Sequence, residues 1–232
     1  MRSDPLETVL VAGATGGTGR EILRLAQSRV DTVRALTRSA EAVPELKTAG
    51  ADEVVVDDLL DPEDLSTAVT GVDAVLSAVG TAPSEIRSGP PFVDGEGNCA
   101  LISAAADADV DAFVMESAIG VGTERASVLA TAFDAFIGPI QAAKATAESA
   151  IRDTKMRHTI LRAGVLTNGA RTDLVTAADP GAKLWGTISR ADVARLMLSA
   201  PVTRGAGDRT FEVVSMPQFP DRDAGIDWTI PH

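Results

Sequence analysis

"VLVAGATGGTGREIL", residues 9–23, decides how the chain is read. An apolar run, Val9 to Ala12, leads into a stretch of glycine, alanine and threonine, which leads in turn into a helix-like segment. Strand, glycine turn, helix is the order in which a nucleotide-binding unit is built. In that order Gly13 permits the tight turn, Gly16 lets a pyrophosphate approach the backbone, and Gly19 lets the helix pack closely on the strand. The turn also holds Thr15, and the amides near Gly17 and Thr18 would point at the anion from a new helix N-terminus. The spacing is G-x-x-G-x-x-G rather than G-x-G-x-x-G, so the flanking strand and helix carry the reading. An ordinary tight turn is the competing one.

Working outward, strands are expected at "TVLVAG" (8–13), "TVRALT" (32–37), "DEVVVDD" (52–58), "DAVLSAVG" (73–80), "DAFVMES" (111–117) and "HTILRAG" (158–164). They are short and apolar on both faces, the pattern of a parallel sheet covered on both sides. Helical patterns lie between them at 17–28, 40–48, 62–69, 94–108 and 141–153. Asp61-Pro62 offers an N-cap followed by proline at the first helical position. Residues 119–139 hold helix-like stretches without a clear register, closed by Gly138-Pro139. An amphipathic helix at 189–200 and a strand at 209–215 follow, and the proline-containing tail 216–232 is expected to wrap the surface. Repeated strand–helix–strand units imply an α/β, doubly wound Rossmann sheet with helices on both faces. The expectation is one domain over 1–232, with its core at about 8–215.

Composition narrows the functions. The 232 residues are 45% hydrophobic with a mean hydropathy of +0.11, which fits a packed globular chain. No apolar run approaches a membrane span, and "MRSDPLET" has no apolar segment of a secretion signal. The single cysteine, Cys99, cannot pair within the chain and fits a reducing cytoplasm. It reads most simply as a small buried helix residue. Lys+Arg is 21 against 33 Asp+Glu, a net charge of -12. That argues against a nucleic-acid partner, which needs a basic face. Four lysines (Lys47, Lys144, Lys155, Lys183), 3% aromatics and no tyrosine suit a halophilic, salt-loaded cytoplasm, though codon bias is an equal explanation.

The end of the second strand chooses between cofactors. An acidic residue there would hold the ribose 2′-hydroxyl of NAD. Here "RALTRSA" places Arg38 nineteen residues after Gly19 with no acid beside it in sequence. Arginine would grip a 2′-phosphate with two hydrogen bonds, so the cofactor expected is NADP. Arg20 could approach the same phosphate from the other side; both arginines also read as surface residues.

These stretches together resemble the atypical short-chain dehydrogenase/reductases, in particular the NmrA-like, NAD(P)H-binding group that includes flavin and biliverdin reductases. "GATGGTGREI" resembles its glycine turn and "RALTR" its NADP-type second strand. "VVVDDLLDPEDL" resembles its third-strand motif, which implies Asp58, with Leu59 beside it, near the adenine. "VLSAVG" implies Ala78, Val79 and Gly80 along the adenosine and ribose, and "DAFVMESAIGVG" ends its strand in the serine position, Ser117. "AKATAESAIRDTKMRHTILRAGVL" resembles the group's lysine-to-arginine segment, and "ISRADVARLM" with "RTFEV" its C-terminal helix and strand. By that resemblance Lys144 holds the nicotinamide ribose and Ser117 orients nicotinamide or substrate. The alternatives are a surface lysine and a small strand-end residue. Arg162 would pair with a substrate anion or with an internal carboxylate, and Ala163 replaces the group's usual proline.

One departure matters most. Classical short-chain dehydrogenase/reductases place a tyrosine four residues before the lysine to protonate a carbonyl oxygen. Here that position is Ile140, and the chain has no tyrosine at all. The expectation is therefore an NADPH-dependent oxidoreductase whose small-molecule acceptor needs little acid catalysis, such as a flavin, a quinone or a conjugated system. A non-catalytic NADP(H) sensor that binds another protein is the alternative. A sugar-nucleotide epimerase fits less well, because it would want tyrosine and a longer substrate domain. His158 and His232 are too few and too separate for a metal site. A cytoplasmic location, no membrane partner and a homodimer complete the expectation.

Overall fold

The computed structural model describes residues 6–122, 130–215 and 220–231. The chain opens with β1 (Thr8–Ala12), α1 (Gly17–Ala26), β2 (Thr32–Thr37), α2 (Val43–Ala49), β3 (Glu53–Val56), α3 (Ser66–Val69) and β4 (Ala74–Ser77). It continues through α4 (Pro83–Ile86), α5 (Asn98–Asp107), β5 (Ala112–Ala118), α6 (Ala130–Arg152) and β6 (Arg157–Ala163). It closes with β7 (Val165–Thr167), β8 (Thr176–Ala178), β9 (Thr187–Ser189), α7 (Arg190–Ser199) and β10 (Arg209–Val214). Eight strands form one sheet in the order β3-β2-β1-β4-β5-β6-β10-β8, parallel except for β8, which runs antiparallel to β10. This is a Rossmann-like α/β fold. The chain runs from β1 outward to β3, then returns to place β4 on the other flank of β1. The crevice beyond the strand ends at that reversal is where such sheets bind ligands.

Alternation along the strands sorts the core into two layers. Val9 and Val11 pack with Ile22, Leu23 and Leu196, on the side of α1 and α7. Leu10 and Ala12 pack with Leu101 and Ile151, on the side of α5 and α6. The same parity governs β5: Ala112 and Val114 face α1 and α7, while Phe113 and Met115 face α5 and α6. It therefore sends Glu116 and Ser117, adjacent in sequence, to opposite faces of the sheet.

Several expected elements differ. The helix expected from Asp61-Pro62 begins only at Ser66. The Asp57 carboxylate takes the amides of Asp58, Glu63 and Asp64, which holds residues 57–64 in a turn, and Asp64 accepts from the Ser66 amide. Gly138-Pro139 does not close a segment: Pro139 lies inside α6, which starts at Ala130. Of the irregular stretch expected at 119–139, residues 123–129 lie outside the described residues. The three-residue strands β7, β8 and β9 went unread, because so short a run carries no period. The tail is described over 220–231: Trp228 meets Phe211 edge-on at 5.4 Å, and Pro231 accepts from Arg29. Among the described residues no helix is long and apolar enough to cross a membrane.

Candidate functional site

The glycine turn is tight for steric reasons. Gly13 takes φ +73°, and a Cβ there would lie 2.5 Å from the Ala78 carbonyl oxygen, at the end of β4. A Cβ on Gly19 would lie 2.2 Å from the Gly13 carbonyl oxygen, so α1 rests directly on the turn. Gly16 differs. Its amide closes the turn onto Gly13 at 2.9 Å, and its Cβ direction meets only the Gly13 oxygen, at 3.1 Å. Helix α1 starts with no side-chain cap at Gly16 and no carboxylate in its first turn. Its leading amides are thus presented to a ligand with the positive end of the helix dipole behind them.

A cavity of about 270 Å³ opens beside this turn. Gly13, Thr15, Gly16, Arg38, Asp58, Leu59, Ala78, Val79 and Gly80 all line it. Leu36, Val79 and Val93 give it an apolar surface for a flat ring, and Arg38 stands at the end of β2. The residues fit an adenosine and its ribose. An acid does reach Arg38, but from elsewhere in the chain: Glu85 of α4 hydrogen-bonds and ion-pairs with it. That pairing raises the Arg38 pKa and lowers that of Glu85. Arg20 does not join Arg38 in this cavity. It donates to the Thr15 carbonyl at 3.0 Å, pairs with Glu45 at 2.8 Å, and lines a different cavity.

Three titratable groups, Lys144, Asp94 and Glu116, interact beside the start of α1. Lys144 on α6 reaches Asp94 at 2.8 Å, and both side chains are largely buried. Asp94 also accepts the Thr81 amide at 2.7 Å, and its backbone carbonyl accepts from Asn98, whose side chain is in turn bonded to Ser77. Burial alone would raise the Asp94 carboxyl. The Lys144 charge, with hydrogen bonds from Lys144 and Thr81, outweighs it and holds the group below the usual range. Glu116 is the third group, and sequence reasoning missed it. It is buried and accepts the Thr18 hydroxyl at 3.2 Å. Burial, reinforced by the Asp94 charge, pushes its carboxyl up against the opposing influence of Lys144, Thr18 and Arg190. The available signal was a carboxylate at the apolar alternate position after Ala112 and Val114.

Ser117 points the other way. Its hydroxyl donates to Glu148 on α6 at 2.7 Å. Arg162 grips the same carboxylate with two bonds, 3.0 and 2.7 Å, and Arg152 adds a third guanidinium contact at 2.8 Å. The internal carboxylate is thus the partner of Arg162. Burial would raise the Glu148 carboxyl, but the Arg162 and Ser117 hydrogen bonds and the arginine charges lower it. Ile140 sits half-buried on α6, one turn before Lys144.

A family model described as NAD(P)H-binding matches residues 13–201. A Bacillus subtilis protein named an uncharacterized sugar epimerase, YhfK, is 29% identical over 88% of this chain and 92% of its own length. An NAD(P)H azoreductase of Xenophilus azovorans is 34% identical over 50% of this chain and 37% of its own. A Bacillus halodurans structure, named as a candidate NAD-dependent epimerase/dehydratase, superposes with a TM-score of 0.77 at 27% identity, covering 90% of this chain and 94% of that one.

Proposed function

This chain belongs to the NAD(P)H-binding family, and we propose that it is an NADPH-dependent oxidoreductase that reduces a conjugated acceptor without a tyrosine acid. The observation that carries this reading is the cavity beside the uncapped start of α1, with Arg38 at its outer end. When bound there, a reduced nicotinamide supplies a hydride. The amides of Gly17 and Thr18 would hold the pyrophosphate, and Arg38 would exchange Glu85 for the 2′-phosphate. Lys144, fixed by Asp94, would hold the ribose hydroxyls. Burial raises the Glu116 carboxyl, which favours its neutral form beside the start of α1.

An acceptor that delocalises the added charge suits a site without a phenol. The azoreductase among the relatives, by its name, takes such a substrate. Epimerase names also occur among the relatives, but oxidation of a sugar hydroxyl calls for a base, and tyrosine is absent. One observation favours a second reading, that of an NADP(H) sensor: the Ser117 hydroxyl and Arg162 are both committed to Glu148. Another bears on the cofactor, since Glu85 could accept a ribose 2′-hydroxyl of NAD. Calorimetric titration with NADPH and NADH, followed by mixing the complex with flavins, quinones, azo dyes and aldehydes, tests the proposal. Tighter NADPH binding and oxidation by conjugated acceptors support it. Binding without oxidation supports the sensor.

A further inference from the structure

A second and larger cavity, about 570 Å³, borders α1 from Gly17 to Leu25 and shares no lining residue with the adenosine cavity. Four arginines line it (Arg20, Arg24, Arg171 and Arg190), against one carboxylate, Glu21. In a chain of net charge -12 this is a concentrated exception. The adenosine cavity, by comparison, sets Arg38 against Asp57, Asp58 and Glu85.

The arginines come from three separate parts of the fold. Arg20 and Arg24 lie one turn apart on α1, Arg190 opens α7, and Arg171 follows β7. Two devices hold them. The Arg190 side chain lies across the glycine turn, where a Cβ on Gly17 would meet its Cδ at 2.5 Å, and its guanidinium donates to the neutral Asn168 amide at 2.7 Å. The loop carrying Arg171 is pinned by fully buried Asp192, which accepts the Thr172 and Asp173 amides at 3.0 Å each and the Thr172 hydroxyl at 2.8 Å. The partners of the other three, Glu45, Glu21 and Asp173, sit at half-exposed surface positions. Ion pairs of that kind are weak in water and release a guanidinium readily.

We propose that this cavity binds the anionic end of the electron acceptor, a group carrying at least two carboxylate or phosphate charges. Four guanidinium forks suit planar, doubly charged oxygen groups. Arg190 joins the cavity to the turn over which the cofactor would lie. The inference rests on the oxidoreductase reading for the acceptor's identity, not for the site.

The test uses the full chain saturated with NADPH, so that the amides at the start of α1 are already filled. Inorganic pyrophosphate and citrate are titrated separately by calorimetry, which separates a phosphate source from a carboxylate source. One equivalent of either should bind, at least tenfold more weakly in the Arg24→Ala/Arg171→Ala variant, whose changes fall at exposed positions. In turnover, the bound anion should compete with the acceptor and not with NADPH. Wild-type affinity in the double variant, binding only when NADPH is absent, or competition against NADPH would overturn the proposal. Anion binding in a chain that oxidises NADPH with no acceptor would keep the site and defeat the oxidoreductase reading instead.

Discussion

Arg38 and Glu85, 47 residues apart, are joined by an ion pair in the lining of the cavity beside the glycine turn. One residue of the pair suits a 2′-phosphate and the other opposes it. Replacing Glu85 by Gln should therefore strengthen NADPH binding and leave NADH little changed or weaker. Arg38→Ala should weaken NADPH about tenfold, about 1.4 kcal/mol. Calorimetry with both nucleotides reads the two effects. A Glu85→Gln variant that loses NADH binding alone would assign that carboxylate to a ribose hydroxyl.

The three glycines should fail in different ways. Gly19→Ala forces a Cβ into the Gly13 carbonyl, 2.2 Å away, and should cost roughly 1–3 kcal/mol of stability, as overpacking does. Gly13→Ala adds a strained positive φ to a clash with Ala78. Gly16→Val should keep the fold, because little lies above that position, and should abolish cofactor binding. Thermal melts alongside nucleotide titrations separate the classes. A Gly16→Val chain that binds NADPH normally would reduce the turn to a structural one.

The buried carboxylates predict opposite pH signatures. Asp94 and Glu148 are held below the usual range. Their contribution to stability is present above the unfolded carboxylate value, about pH 4, and is lost as pH falls through their lower folded values. Glu116 is raised, so its contribution is complete below the unfolded value and is lost as pH rises through the folded one. Glu116→Gln should therefore gain stability relative to wild type as pH rises above the unfolded carboxylate value. Glu148→Gln should lose roughly 3 kcal/mol at neutral pH, because it strips a buried Arg162 of its counter-charge, and less in acid. Denaturant melts as a function of pH test both.

Lys144→Ala removes one half of the buried pair and leaves Asp94 uncompensated. It should weaken NADPH binding and destabilise the fold together. Ile140→Tyr should add little or no aldehyde reduction, since a phenol helps only within about 3 Å of the reacting oxygen. Binding and turnover assays of both variants check this. A Lys144→Ala protein with unchanged NADPH affinity would confine that residue to its ion pair with Asp94.

The β1–turn–α1 unit was legible because its parts are consecutive and each glycine has a steric task within a few residues of itself. Val9 to Ala12 and the other apolar strands were legible for a similar reason: burial on both faces leaves a continuous run. The pairing of Arg38 with Glu85 was not legible, because α4 and the end of β2 meet only through the order of the sheet. The four-arginine cavity likewise assembles α1, the Asp192-pinned loop and α7, which no local pattern connects. Asp61-Pro62 looked like a helix start, yet Asp57 captured the amides that would have begun one. Glu116 could have been found by extending the alternation of β5 one step further. Arg162 was read with two partners open, and only the approach of α6 to β6 selects Glu148.

The most direct test of the central claim is a single-turnover mix of the NADPH complex with each acceptor, following loss of the reduced nicotinamide absorbance. The account predicts oxidation by flavin, quinone or azo acceptors and none by simple aldehydes. NADPH that stays reduced against every conjugated acceptor, or that reduces aldehydes briskly, would contradict it.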